Sequence, residues 1–133
     1  MKLIARHHLA FILSLFSGSI YAETWTCPKE SIEVYGYEFC EAEHALYKAS
    51  QASIRLDKVY KNLLDKTTSK DRQILITSQQ NWMESSQAYC DDLLKEHPSG
   101  RATRAEMAAS CNEQQLLNRT KELEKRLGMK EQK

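Results

Sequence analysis

Four cysteines, Cys27, Cys40, Cys90 and Cys111, are the residues best able to do chemistry in this chain. A cysteine serves as a nucleophile, a metal ligand or half of a bridge, and each role needs different company. A structural zinc site wants close pairs such as C-x-x-C, and none occurs. Past the first two dozen residues the only histidines are His44 and His97, and neither stands at ligand spacing from a cysteine. Glu41 and His44, in "EAEH", have the i, i+3 spacing of a di-iron ligand pair. That site needs a second such pair and two further glutamates, and no second pair is present. Asp91, Asp92 and Glu96 form an acidic run, but glycosidase carboxylates need an enclosing cleft. No Ser/His/Asp set, phosphate-binding glycine loop or metal-ligand run appears. The expectation is a protein that is not an enzyme and carries no cofactor and no metal.

The compartment decides how the cysteines are read. The chain opens "MKLIARHH", continues "LAFILSLFSGSI" and then "YAE". A short basic start, an apolar run and a small residue read as a secretory signal peptide, with cleavage after Ala22. The apolar run is about a dozen residues, well short of the roughly 20 that span a bilayer. Residues 1–22 are therefore expected to be the signal and residues 23–133 a single domain with no membrane span, periplasmic or secreted. Losing Lys2 and Arg6 removes two positive charges from a formal net charge of +1. Acidic and basic residues alternate along the rest, as on solvated helix faces. Nothing resembles the one-signed field of a nucleic-acid binder, and no nucleic-acid partner is expected.

An even number of cysteines in a small exported domain reads as a disulfide framework. Four cysteines allow three pairings, and composition alone does not choose among them.

The elements that would position these residues follow from periodicity. Only four glycines and two prolines interrupt the chain. From Glu41 to Leu64 the apolar positions are Ala42, Ala45, Leu46, Ala49, Ala52, Leu56, Val59, Tyr60 and Leu63. Steps of three and four mark one buried helix face. "TTSKD" interrupts, with Ser69 a candidate N-cap. Leu75, Ser78, Trp82, Ser85, Tyr89 and Leu93 then keep the rhythm until Pro98 and Gly100. A third segment runs through Ala105, Ala108, Asn112, Leu116, Thr120, Leu123 and Leu127, with Gly128 as its stop. "SIEVYGYEF" could pass for a strand, but one strand makes no sheet. The fold expected is all-α: a small three-helix antiparallel bundle behind an irregular N-terminal arm, with two disulfides. The "HPSGR" turn folds the second and third helices back, which sets Cys90 and Cys111 at similar heights. Cys27 and Cys40 are neighbours across the arm, so local pairing, 27 with 40 and 90 with 111, is expected. The apolar faces are narrow, and each bridge should add roughly 3 kcal/mol to a thin core.

Four pieces of the chain resemble the lysozyme inhibitor LprI family of small exported bacterial proteins. Cys27 and Cys40 match its opening cysteine spacing. "LDKVYKNLL", Leu56 to Leu64, resembles its L-N-x-x-Y-x-x-L-L segment, with Asp57 where Asn is usual. Leu75 to Trp82 followed by Cys90 resembles its L-x-x-A-Q-x-x-W…C block. "SCNEQQLLNRTKEL", Ser110 to Leu123, resembles its closing S-C…R-T-x-x-L. The chain departs at Ser86 and Gln87, where the family has Arg-Asp.

The resemblance implies a helical, disulfide-bonded envelope protein whose partner is a protein, a lysozyme. Inhibition would mean an element that fills an acidic, sugar-binding cleft. The candidate is "KEHPSGRATR", Lys95 to Arg104, where His97, Ser99, Arg101 and Arg104 can donate hydrogen bonds to carboxylates. The competing expectation is a structural or assembly protein of the envelope, using the face of Arg55, Lys58, Lys61 and Asn62.

Overall fold

The computed structural model describes residues 25–131, so the expected signal peptide, residues 1–22, lies outside the described residues. Four helices form among them and no strand: α1 (Lys29–Tyr35), α2 (Tyr37–Asp65), α3 (Ser69–Glu96) and α4 (Arg101–Glu131). The all-α class and both disulfides are as expected, but the helix count is four rather than three.

The extra helix is α1, which occupies the segment expected to be an irregular arm. Pro28 precedes it with φ −61°, and its carbonyl accepts from the amides of Ser31 and Ile32. A proline in this position presets the chain for a first turn. Ile32 and Val34 favour strands, but no neighbouring strand is there to pair with them. Gly36 then takes φ +83°, the only positive φ among the described residues. Only glycine adopts that region freely, so Gly36 ends α1 and lets α2 begin at Tyr37, four residues before the periodicity suggests. The last helix departs in the other direction: Gly128 was expected to stop it, yet α4 runs through to Glu131. Gly128 does not take the positive φ that a C′ glycine uses to end a helix.

The α2–α3 turn is short. Thr68, not Ser69, holds the extended position before α3, and its hydroxyl donates to Asp71 Oδ2 at 3.1 Å. α2 and α3 therefore run antiparallel, as do α3 and α4 across the turn at 97–100, and α2 and α4 run parallel. Lys48 pairs with Glu113 at 3.7 Å and Arg55 with Glu124 at 2.8 Å, both steps rising together along the two helices. α2 packs most closely on α4. Small buried residues, Ala42, Ala45 and Ala52 on α2 and Ala102 and Ala109 on α4, permit that approach.

The two ends of the bundle are held differently. Near the α2–α3 turn, Leu56, Leu63, Leu75 and Leu123 form the hydrophobic core, with Tyr60, Trp82 and Leu116 packed against it. At the other end stand the two bridges, Cys27–Cys40 and Cys90–Cys111, in the expected pairing. Leucines supply one end and sulfur the other, which suits a core too narrow to run the full length of the helices.

The outer face of α2 is not uniformly polar. Phe39, Leu46, Tyr47 and Ile54 are all about half exposed or more. Leu46 was expected in the core, but it lies off the line of Ala42, Ala45 and Ala52. Tyr89 likewise is 58% exposed, while Cys90 is buried. The bridge turns Cys90 inward, and a neighbouring residue on a helix then points about 100° away.

Candidate functional site

The α3–α4 turn carries the four residues singled out for partner binding. His97 ends α3 in a non-helical conformation, and Pro98 prevents the helix from continuing. Gly100 supplies the carbonyl that accepts from the Arg104 amide at 2.8 Å, so α4 starts at once. Arg101 and Arg104 therefore sit in the first turn of a helix rather than in a loop.

Their side chains are engaged differently. Arg104 Nη1 donates to the carbonyl of Leu94 at 3.0 Å, satisfying one of the free acceptors at the end of α3. Ser99 Oγ approaches Met107 Sδ at 3.9 Å. His97 and Arg101 are exposed, and their side chains make no ion pair or hydrogen bond among the described residues. Below them the Cys90–Cys111 bridge joins α3 to α4, and buried Ala102 seats the first turn of α4. The result is a short, tethered turn that presents one unpaired guanidinium and one imidazole to solvent.

A second constellation was not singled out in the sequence. Arg119 is 4% exposed, an unusual place for a guanidinium. Its Nε donates to Gln79 Oε1 at 3.0 Å, Nη2 to Ser78 Oγ at 3.0 Å and Nη1 to Glu122 Oε2 at 2.8 Å. Its Cζ lies 5.7 Å from the centre of the Trp82 ring, within cation–π range. Thr120, also buried, donates to the carbonyl of Leu116 at 2.7 Å. The signal was available: Arg119 is three residues after Leu116 and four before Leu123, on the same face. An arginine at core spacing calls for a buried set of acceptors.

This arrangement explains the sequence motifs. The block Leu75, Ser78, Gln79 and Trp82 meets the block Arg119, Thr120 and Leu123 across α3 and α4. Leu56, Tyr60 and Leu63 of the third block join the same core. The recognisable residues therefore build the scaffold. Among the described residues Ser86 and Gln87, which depart from the pattern, bond along their own helix, to Met83 O and Asp91 Oδ1.

Glu122 gives the site a pH dependence. Burial raises its pKa, but hydrogen bonds and charge from Arg119, then Arg126, outweigh burial and hold it below the ordinary carboxylate range. A depressed folded pKa gives stability that is present above the unfolded value and lost as pH falls through the folded one. The melting temperature should fall on acidification below the ordinary glutamate range, and Glu122→Gln should show a shallower fall. Glu122 is nearly half exposed, so the difference should be small. Identical pH profiles for the two proteins would contradict this.

The remaining candidates have other employment. His44 stacks on Trp25, with ring centroids 4.3 Å apart and planes 7° from parallel. Asp92 pairs with Lys95 at 2.9 Å. Asn118, in the glycosylation pattern "NRT", lies within α4 and accepts from Gln114 Nε2 at 3.0 Å. Of the face proposed for assembly, Arg55 is taken up by Glu124, while Lys58, Lys61 and Asn62 are exposed. Among the described residues no group of three or more His, Cys, Asp or Glu side chains could hold a metal ion. Nor is any described helix long and apolar enough to cross a membrane.

Compared with known proteins, residues 40–123 match the family model described as lysozyme inhibitor LprI. No curated protein and no solved structure matches the chain significantly.

Proposed function

Because the chain belongs to the lysozyme inhibitor LprI family, we propose that it is an exported, non-enzymatic protein that binds and inhibits a lysozyme-like peptidoglycan hydrolase. The family match over residues 40–123 carries this reading. Residues 1–22 would direct export and be removed, leaving residues 23–133 as one domain in the periplasm or outside the cell. Two disulfides and no free cysteine among the described residues agree with an oxidising compartment.

The α3–α4 turn is the part of this surface best suited to such a target. Glycoside hydrolases of this kind act through paired carboxylates in a cleft. Arg101 is unpaired, exposed and mounted on a bridged turn, so its guanidinium can donate to a carboxylate without first leaving a partner. His97 and Ser99 would flank it as small polar donors. Arg104 would hold the turn in shape through Leu94. Tethering the turn in advance lowers the ordering cost of binding.

The test is direct. The oxidised protein, titrated into purified muramidases of different types, should abolish lysis by at least one of them near stoichiometric ratio. Full lytic activity of every type in the presence of excess protein would end the inhibitor reading.

A further inference from the structure

The corner between the N-terminal arm, α1 and the start of α2 encloses an open cavity of about 460 Å³, within the roughly 300–1,000 Å³ of small-ligand sites. Trp25 and Cys27 line it from the arm, Ile32 from α1, and Tyr37, Glu41 and His44 from α2. Two ties hold these walls together. The Cys27–Cys40 bridge fastens the arm to α2, and Trp25 stacks on His44 with ring centroids 4.3 Å apart. The family match begins at residue 40, so Trp25, Ile32 and Tyr37 lie outside it. None of them takes part in the inhibitory reading of the α3–α4 turn, and the cavity goes beyond that reading.

The chemistry of the walls is selective. Glu41 is half-buried, and no Lys, Arg or His side chain pairs with it among the described residues. Its neighbours are the Tyr37 hydroxyl, whose pKa it raises by hydrogen bonding and then by charge, and Cys27 Sγ, 4.0 Å from its Oε1. Neither cancels a negative charge. From Lys29 to His44 the chain carries five glutamates, Glu30, Glu33, Glu38, Glu41 and Glu43, against the single Lys29. None of the five makes an ion pair among the described residues. Aromatic rings turn a negative face to a cation. A carboxylate set among rings, in an acidic stretch of chain, is therefore matched to an organic cation and mismatched to an anion. A neutral ligand would gain nothing from the uncompensated charge.

We propose that this corner is a binding site for an organic cation, an alkylammonium or guanidinium head of the kind that lysine and arginine side chains carry. Glu41 pairs with the charged head, Trp25 and Tyr37 offer it ring surface, and Ile32 packs against its aliphatic stem. The walls are tied before the ligand arrives, so binding orders little that was free. One carboxylate in an open cavity holds a small cation weakly, because water still reaches the pair. The same head arrives either as a free amine or as a side chain of a polypeptide, and the two sources are separable by experiment.

Proton–nitrogen NMR of the oxidised protein tests this through its two tryptophan indole signals, Trp25 in the cavity and Trp82 against the core. Trp25→Phe assigns them. Nα-acetyl-lysine methylamide or Nα-acetyl-arginine methylamide should move the Trp25 signal saturably in the millimolar range and leave that of Trp82 in place. Nα-acetyl-norleucine methylamide, which keeps the stem and lacks the charge, should move neither. Glu41→Gln should weaken cation binding by about fivefold or more. Its melting should stay unchanged, since glutamine keeps the size and still accepts from Tyr37. Butylammonium that binds as tightly as the lysine derivative assigns the site to a free amine, and much weaker binding assigns it to a side chain in a polypeptide; both support the proposal. A Trp25 signal that neither cation moves at tens of millimolar overturns it. So does an equal response to the norleucine derivative, or undiminished binding by Glu41→Gln.

Discussion

With Cys90 and Cys111 both changed to alanine, the folded chain is expected to lose about 3 kcal/mol of stability. The bridge joins residues 21 apart in sequence and ties α3 to α4 at the end of the bundle far from the leucine core. Without it, the unfolded chain regains the freedom that the closed loop denied it. Between Trp82 and Cys90 no residue of α3 is fully buried, so packing offers little to replace it. A loss of this size is a large part of what holds a domain this small together. Cys27–Cys40 should behave otherwise, although its loop of 13 is not much shorter. α1 buries no residue, so losing that bridge should release α1 locally and leave the bundle folded. Chemical denaturation should show a large drop for the Cys90/Cys111 variant. The Cys27/Cys40 variant should instead show new proteolysis between Pro28 and Gly36 with a smaller change in midpoint. Equal effects of the two removals would contradict this division.

Leu123→Ala is expected to cost about 3 kcal/mol as well, by the ordinary cost of a buried leucine and the cavity it leaves. Leu123 is fully buried and sits where α2, α3 and α4 meet, against Leu56, Leu63 and Leu75. Its neighbours cannot collapse freely, because Thr120 and Arg119 beside it are fixed by their hydrogen bonds. Leu46→Ala, on the exposed face of α2, should change the stability of the monomer by about 0.5 kcal/mol or less. Urea unfolding of both variants at one protein concentration measures the contrast. A Leu123→Ala protein as stable as Leu46→Ala would mean that the core lies elsewhere.

What could be read from the sequence follows the length scale of the signal. Three long helices were legible because the three- and four-residue rhythm repeats over about five or six turns, and the bridge partners because a short turn fixes their heights. Single-residue decisions were not legible. Gly128 was expected to stop a helix and does not, whereas Gly36, given no such role, ends α1, since a glycine allows a stop without compelling one. Leu46 and Tyr89 fell outside the core because a face drifts over a long helix and a disulfide, not hydrophobicity, set its final orientation. Arg119 was hidden by its type: its burial depends on acceptors supplied by a different helix, forty residues away. For the turn residues, chemistry was legible but availability was not. Nothing in "HPSGRATR" tells that Arg104 is tied to Leu94 while Arg101 is unpaired.

That distinction makes Arg101 the sharpest probe of function. Arg104→Ala would also uncap α3, so a loss there mixes shape with contact. Arg101→Ala removes only an exposed side chain. The measurement is the inhibition constant of the oxidised wild-type protein against a muramidase it blocks, beside those of Arg101→Ala and Lys61→Ala, all at one salt concentration. Arg101→Ala should bind more weakly by about 2 kcal/mol, roughly thirtyfold, if its guanidinium is desolvated against a cleft carboxylate. Lys61→Ala should match the wild type. An Arg101→Ala protein that inhibits as well as the wild type, with Lys61→Ala impaired instead, would contradict the account and move the inhibitory surface from the α3–α4 turn to α2.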